Sequence, residues 1–174
     1  MVKLYALCIY YKSPTSVNCL KTCYDLTSFS FFQRGSVQEF MTFVSKTLVE
    51  RTQAAARQSV KQDEYTGHVY VRADSLGGVL LSDHDYPNRV AHTLLTKVLD
   101  EFTAKIPSGE WARGDETSII FPDLPLFLSK YQNPREADAM TRIQEELDET
   151  KIILVKKTFN SLLFFLIKYE YIIS

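Results

Sequence analysis

The sequence predicts an antiparallel α+β sandwich, a five-stranded antiparallel sheet with helices on both faces, and three observations predict it. The order of candidate elements is strand, strand, helix, three strands, helix, helix, without the strand-helix alternation of a parallel doubly wound sheet. The strand candidates are short, rich in β-branched and aromatic residues, and separated by compact turn signals. Hydrophobic residues at 45%, with 11 Phe and 10 Tyr, supply a core for 174 residues without help from disulfides or metal.

Leu4 to Lys12 and Val17 to Tyr24 are β-rich runs separated by Ser13-Pro14-Thr15-Ser16, which favours a turn and makes a hairpin. Ser36 is followed three residues later by Glu39, the spacing of a capping box, which predicts a first helix from Val37 to about Thr52. Its apolar residues Val37, Phe40, Met41, Val44 and Leu48 recur at intervals that keep them on one stripe, and Phe43 widens that stripe toward a second face. Three strands follow, Arg57 to Lys61, Tyr65 to Arg72 and Leu76 to Ser82, with turns at Gln62-Asp63-Glu64 and Asp74-Ser75.

From Pro87, which suits a first helical turn, Val90, Ala91, Leu94, Leu95, Val98, Leu99 and Phe102 repeat at helical spacing to about Lys105. A loop marked by Pro107, Gly109 and Gly114 leads to a third helix over Pro122 to Tyr131, on Leu124, Phe127, Leu128 and Tyr131. Asn133 to Leu154 then opens a heptad helix whose core positions alternate three and four apart at Met140, Ile143, Leu147, Thr150 and Leu154, a seam seeking partner helices. Beyond it Leu162, Leu163, Phe164, Phe165, Leu166 and Ile167 are contiguous and wrap the whole circumference of any helix, so the stripe ends at Leu154. That run is far below the roughly 20 residues of a spanning helix, and such a surface docks, binds a membrane interface or aggregates.

A formal net charge of −1 gives no general attraction to nucleic acid or anionic lipid. Cys8, Cys19 and Cys23 lack zinc or CxxC spacing and read as reduced strand residues of a cytosolic protein. The N-terminal apolar run is short, lacks a cleavage site and reads as a strand. His68, His84 and His92 are not spaced as a ligand set, and Ser82 to Pro87, SDHDYP, lacks the glycine and distant glutamate of a calcium loop. Arg113-Gly114-Asp115 reads as a chance tripeptide, and Gly77-Gly78 as a bulge or close packing site. No catalytic constellation, cofactor or metal is expected, and the chain reads as a binding protein and not an enzyme. Helix one supplies the surface: Phe40 and Phe43 point roughly 60° apart, so one anchors the core while the other borders a groove, unless both are core.

The runs DLTSFSFFQRGSVQEFMTF, YTGHVYVR, DHDYPNRVAHTLL, KVLDEF, KYQNPREAD and ELDETKIIL closely resemble the lipid-anchored, farnesylated longin-type R-SNAREs of the secretory pathway, over Met1 to Leu154. The resemblance implies a longin domain over residues 1–131, the N-terminal part of an R-SNARE coiled-coil motif over 133–154, and a divergent apolar tail over 155–174. It implies assembly with three partner SNARE helices in fusion between endoplasmic reticulum, Golgi and endosomal membranes, from a cytosolic pool that cycles onto them. It also implies a groove between helix one and the neighbouring strand that holds the SNARE motif or the lipid; Phe40 and Phe43, with Val69 and Val71 opposite, would line it. The family's central arginine and C-terminal cysteine pair have no counterpart: no arginine follows Arg142 and no cysteine follows Cys23, so no lipidation site is expected. The alternative expectation is a soluble longin module that binds, or acts as a decoy, without fusing membranes.

Overall fold

A computed structural model describes residues 2–141 and 152–156. Six strands form one sheet in the order β2-β1-β5-β4-β3-β6. The strands are β1 (Leu4–Lys12), β2 (Val17–Tyr24), β3 (Ala56–Gln62), β4 (Tyr65–Val71), β5 (Leu76–Asp83) and β6 (Ile152–Lys156). The first five pair antiparallel, as expected, and β6 adds to the β3 edge in parallel.

The helices are α1 (Arg34–Arg51), α2 (Asn88–Lys105), α3 (Asp123–Lys130) and α4 (Pro134–Thr141). Among the described residues α1 is the one helix on its face, over Ala6, Cys8, Val60, Val69, Val71, Val79 and Leu81. On the other face α2 and α3 cover Leu4, Leu7, Ile9, Leu20, Leu76 and Leu80, with Trp111, Ile119, Phe121 and Ala137 completing that core. Gly77 and Gly78 are the close-packing sites of the central strand: a Cβ on Gly77 would stand 3.4 Å from Val49, and one on Gly78 3.2 Å from Leu95. Neighbouring residues of a strand face opposite sides, so each glycine lets one helix approach.

Two sequence expectations are corrected. Ser36 is not an N-cap: α1 begins two residues earlier, after a 3-10 turn at Phe31–Gln33, and its Gln33 N-cap makes no side-chain capping bond. The heptad helix does not run unbroken to Leu154, because Ile152 to Lys156 pair with Arg57 to Lys61 in β6. Ile-Ile-Leu-Val is a β-prone sequence, and β3 offers an edge whose backbone groups need partners. Of the remaining heptad positions, Met140 falls in α4, while Ile143, Leu147 and Thr150 lie outside the described residues, as does Leu162 to Ile167.

Candidate functional site

α1 is anchored by Lys12 at its C-terminal end and is more lightly held at its start, where Arg34 Nε donates to the Phe29 carbonyl at 3.2 Å. Lys12 donates from Nζ to the carbonyls of Glu50 (2.9 Å) and Thr52 (2.7 Å), placing a cation on the negative end of the helix dipole. The Gln33 N-cap makes no side-chain capping bond, and Phe31 and Phe32 just before it are 77% and 94% exposed. From this end as far as Leu48, the helix and the sheet border an open cavity of about 570 Å³, in the size range of small-molecule sites. Phe32, Val37, Phe40, Val44 and Leu48 line it from the helix side, and Val60, Tyr65, Gly67 and Leu81 from the sheet.

The lining is mainly apolar, and its polar members include Gln33 and Ser36 at the start of α1 and Gln62 and Asp63 at the β3–β4 hairpin. Tyr5 packs between Phe29 and Tyr65, with ring centroids 5.7 and 5.6 Å away, as an aromatic wall. Such a site takes an apolar chain or side-chain cluster, and offers polar contacts for one end of it. β6 lies on β3, whose Val60 and Gln62 border the cavity, and Ile153 is 53% exposed there.

Of the residues expected to line a groove, Phe40 does so, half-buried. Phe43 is 46% exposed and is not part of the lining. Val69 and Val71 do face α1, but they are fully buried beneath its C-terminal half, next to Val49. The cavity sits further along β4, at Tyr65 and Gly67, where a glycine leaves the sheet surface low. Alternation assigns the face of a strand correctly, but gives no measure of where along it a helix lifts away.

On the opposite face a buried polar chain joins three strands to α2. Ser82 donates to the Asp83 carbonyl (2.8 Å), so its hydroxyl oxygen accepts from His68 Nε2 (3.0 Å); His68 Nδ1 then accepts from Ser59 (2.8 Å), and Ser59 accepts from His92 Nε2 (2.9 Å). This order leaves the His92 Nδ1 lone pair without a partner among the described residues. Arg57, 3% exposed, donates to the His92 carbonyl and the Thr96 hydroxyl and lies 3.6 Å over the Tyr70 ring. Burial pushes both imidazoles down to about 3, helped at His68 by His92 and Lys61 and at His92 by Arg57. Both are neutral, enclosed and structural; no common partner of His68 and His92 is legible in the sequence because Ser59 carries no signal of its own.

The other motifs are local structure. Asp83 accepts the backbone N–H of Lys3, Asp85 and Tyr86 on its carboxylate, which shapes the turn into α2. Asp115 accepts the Thr117 hydroxyl and the Thr117 and Ser118 N–H groups, bonds that hold its carboxyl down at about 2. Cys8, Cys19 and Cys23 are free, and burial raises all three thiols, those of Cys8 and Cys23 to about 12, opposite to the shift of a reactive cysteine.

Comparison with known proteins places the chain in a family. Residues 26–128, which include every cavity-lining residue but Tyr5, match the longin domain, a regulated-SNARE-like domain. The chain is 52% identical over 162 residues to the synaptobrevin homolog ykt6 of Schizosaccharomyces pombe, covering 93% of this chain and 81% of that one. It is 44% identical over 164 residues to the synaptobrevin homolog YKT6 of Yarrowia lipolytica (93% and 82%) and 48% over 140 residues to that of Saccharomyces cerevisiae (79% and 70%). The chain belongs to the longin-type R-SNARE family. Its members are SNARE proteins of vesicle transport and not enzymes. Among the described residues no helix of this longin-type R-SNARE is long and apolar enough to cross a membrane.

Proposed function

We propose that this chain acts in vesicle fusion between endoplasmic reticulum, Golgi and endosomal membranes, and that its longin domain controls when residues 133–154 are free to zip with three partner SNARE helices. The observation that carries this reading is β6: Ile152 to Lys156 pair with β3 beside the cavity, so a segment of the SNARE-type stripe is held as a strand on the longin sheet. Leu154 belongs to the heptad seam by spacing and to a β-ladder by position. A four-helix bundle requires the same backbone to be helical, so docking on β3 and bundle formation exclude each other.

The cavity under α1 is the second element of control. In this reading it takes an apolar group, a lipid chain or apolar side chains from the C-terminal part of the chain, and the cytosolic closed form is stabilised by each large side chain that enters, by about 1.5 to 3 kcal/mol for full burial. Phe40→Glu places a carboxylate in the lining. It is expected to expose β6 to hydrogen exchange and to raise membrane binding of the full chain; unchanged exchange over 152–156 would remove the cavity from the control mechanism. Fusion itself is checked by assembly with target-membrane SNARE motifs and resistance of the complex to SDS. A chain that binds these motifs without forming such a complex would instead be the soluble binding or decoy module.

A further inference from the structure

The segment between β2 and α1 carries the most exposed large apolar side chain among the described residues, Phe32 at 94%, beside Phe31 at 77%. The two rings meet edge-on with centroids 5.8 Å apart and make one apolar knob. The chain that bears it is turned in on itself. The Phe29 N–H donates to the Leu26 carbonyl (3.0 Å), the Gln33 N–H to the Ser30 carbonyl (2.9 Å) and Arg34 Nε to the Phe29 carbonyl (3.2 Å). Phe29 roots the segment, with its ring centroid 5.7 Å from that of Tyr5. At the base Asp25 accepts the Thr27 hydroxyl (2.6 Å) and pairs with Lys3 (3.5 Å).

This construction suits contact with an apolar phase. Rings already held outward lose little freedom when they are covered, and backbone groups bonded within the segment cost less to take out of water. From Thr27 to Gln38 the sequence has no acidic residue and one cation, Arg34. The other exposed side chains around the knob, those of Thr27, Ser28, Ser30 and Gln33, are uncharged hydrogen-bonding groups. An apolar tip with such a rim matches the boundary between acyl chains and headgroups, where rings are buried and hydroxyls stay hydrated. Phe32 also borders the cavity under α1, so the knob stands beside a space of the size and polarity that takes an apolar chain.

We propose that Phe31 and Phe32 form a wedge by which the longin domain itself rests on a lipid surface, with the rings in the acyl boundary and Arg34 at headgroup level. The contact uses neither β6 nor residues 133–154, so it needs no SNARE assembly and leaves that reading untouched if it fails. Two rings and one cation make a shallow, reversible hold that depends on burial more than on charge.

Partition of the full chain onto phosphatidylcholine vesicles tests the wedge. Phe31→Ser and Phe32→Ser are each expected to lower the partition coefficient by about tenfold. Ile120→Ser, which removes a side chain as exposed as Phe31 (77%) from the loop before α3, should leave it unchanged. Phosphatidylserine added to the vesicles should raise partition by about fivefold or less, the share of one cation. Phe32→Trp locates the contact, since the chain's one tryptophan, Trp111, is 3% exposed and gives a constant background. The new indole should emit as a hydrated group in buffer and shift to the blue with vesicles. Absence of partition by the wild type, equal loss in Ile120→Ser, or partition that requires phosphatidylserine overturns the proposal. So does blue-shifted emission without vesicles: growing with protein concentration, it assigns the knob to a second copy, and independent of concentration, to another segment of the same chain.

Discussion

The two faces of the sheet are covered differently. On one face α2 packs against fully buried strand residues, and Trp111, Phe121 and Leu124 close the remaining space with α3. On the other, α1 is the only helix among the described residues, it packs against the sheet at Val49, and it stands over a cavity at Val37, Phe40 and Leu48. The same sheet therefore has a side that holds the fold and a side that leaves room for something else. Stability and binding are separated across a single layer of strands, so changes on one side should move one property with little effect on the other.

The largest test of this division is a pair of truncations. Phe102, fully buried and edge-on to Phe121 at 5.3 Å, sits in the closed core. Phe102→Ala should cost about 3 to 5 kcal/mol, seen as a lower midpoint in urea. Phe40→Ala enlarges a cavity that already opens to solvent and should cost less than about 1.5 kcal/mol. Equal losses would mean that the two faces are packed alike.

The second test is acid. His68 and His92 are held well below the usual imidazole range in the folded chain, so the unfolded chain binds more protons between about pH 6.5 and pH 3. Stability from both groups is fully present above the unfolded value and is lost as pH falls through that window. The slope should approach about 1.4 kcal/mol per pH unit for each imidazole. His68→Gln and His92→Gln should flatten the dependence near pH 5; an unchanged slope in both variants would show that the carboxylates alone set acid stability.

This polar chain also shows where the sequence stopped being informative. The first five strands and first three helices were legible because each has its own period: β1 and β2 match the expected bounds, and α2 begins at Asn88, just after the proline that marked it. β6 was not, because Ile152 to Val155 continue a heptad count while also being good strand formers, and only the open edge of β3 decides between them. The cavity was half legible. Phe40 was read from helical spacing, but Gly67 and Tyr65 were not, since a glycine that lowers a sheet surface looks in sequence like any other turn or bulge residue.

Two glycines give a finer comparison. A Cβ on Gly78 meets Leu95 at 3.2 Å and Leu99 at 3.4 Å within the closed core, whereas a Cβ on Gly67 would overlap Leu48 Cδ1 at 2.6 Å. Distance alone makes Gly67 the worse site, yet Leu48 borders the cavity and has space into which its end can turn. Gly78→Ala should therefore cost about 1 to 3 kcal/mol as overpacking. Gly67→Ala should be near neutral, helped by the about 0.5 to 1 kcal/mol that a strand gains when glycine is replaced. The reverse order in thermal melts would show that Leu48 is locked and the cavity rigid.

The smallest expected change in stability carries the most information about function. Phe32 borders the cavity while 94% exposed, so its ring contributes little burial to the fold and much apolar surface to whatever enters. Phe32→Ser should leave the urea midpoint within about 0.5 kcal/mol of wild type, as for other exposed positions. The same variant should weaken binding of a hydrophobic dye to the full chain, and Phe31→Ser should have less effect, because Phe31 stacks edge-on with Phe32 at 5.8 Å but is not among the lining residues. If both variants bind dye as wild type does, the mouth of the cavity lies elsewhere and the α1 face is less open than its exposed aromatic pair indicates. If Phe32→Ser loses stability instead, that ring belongs to the fold, and the separation between a holding face and a binding face fails at the residue where it should be clearest.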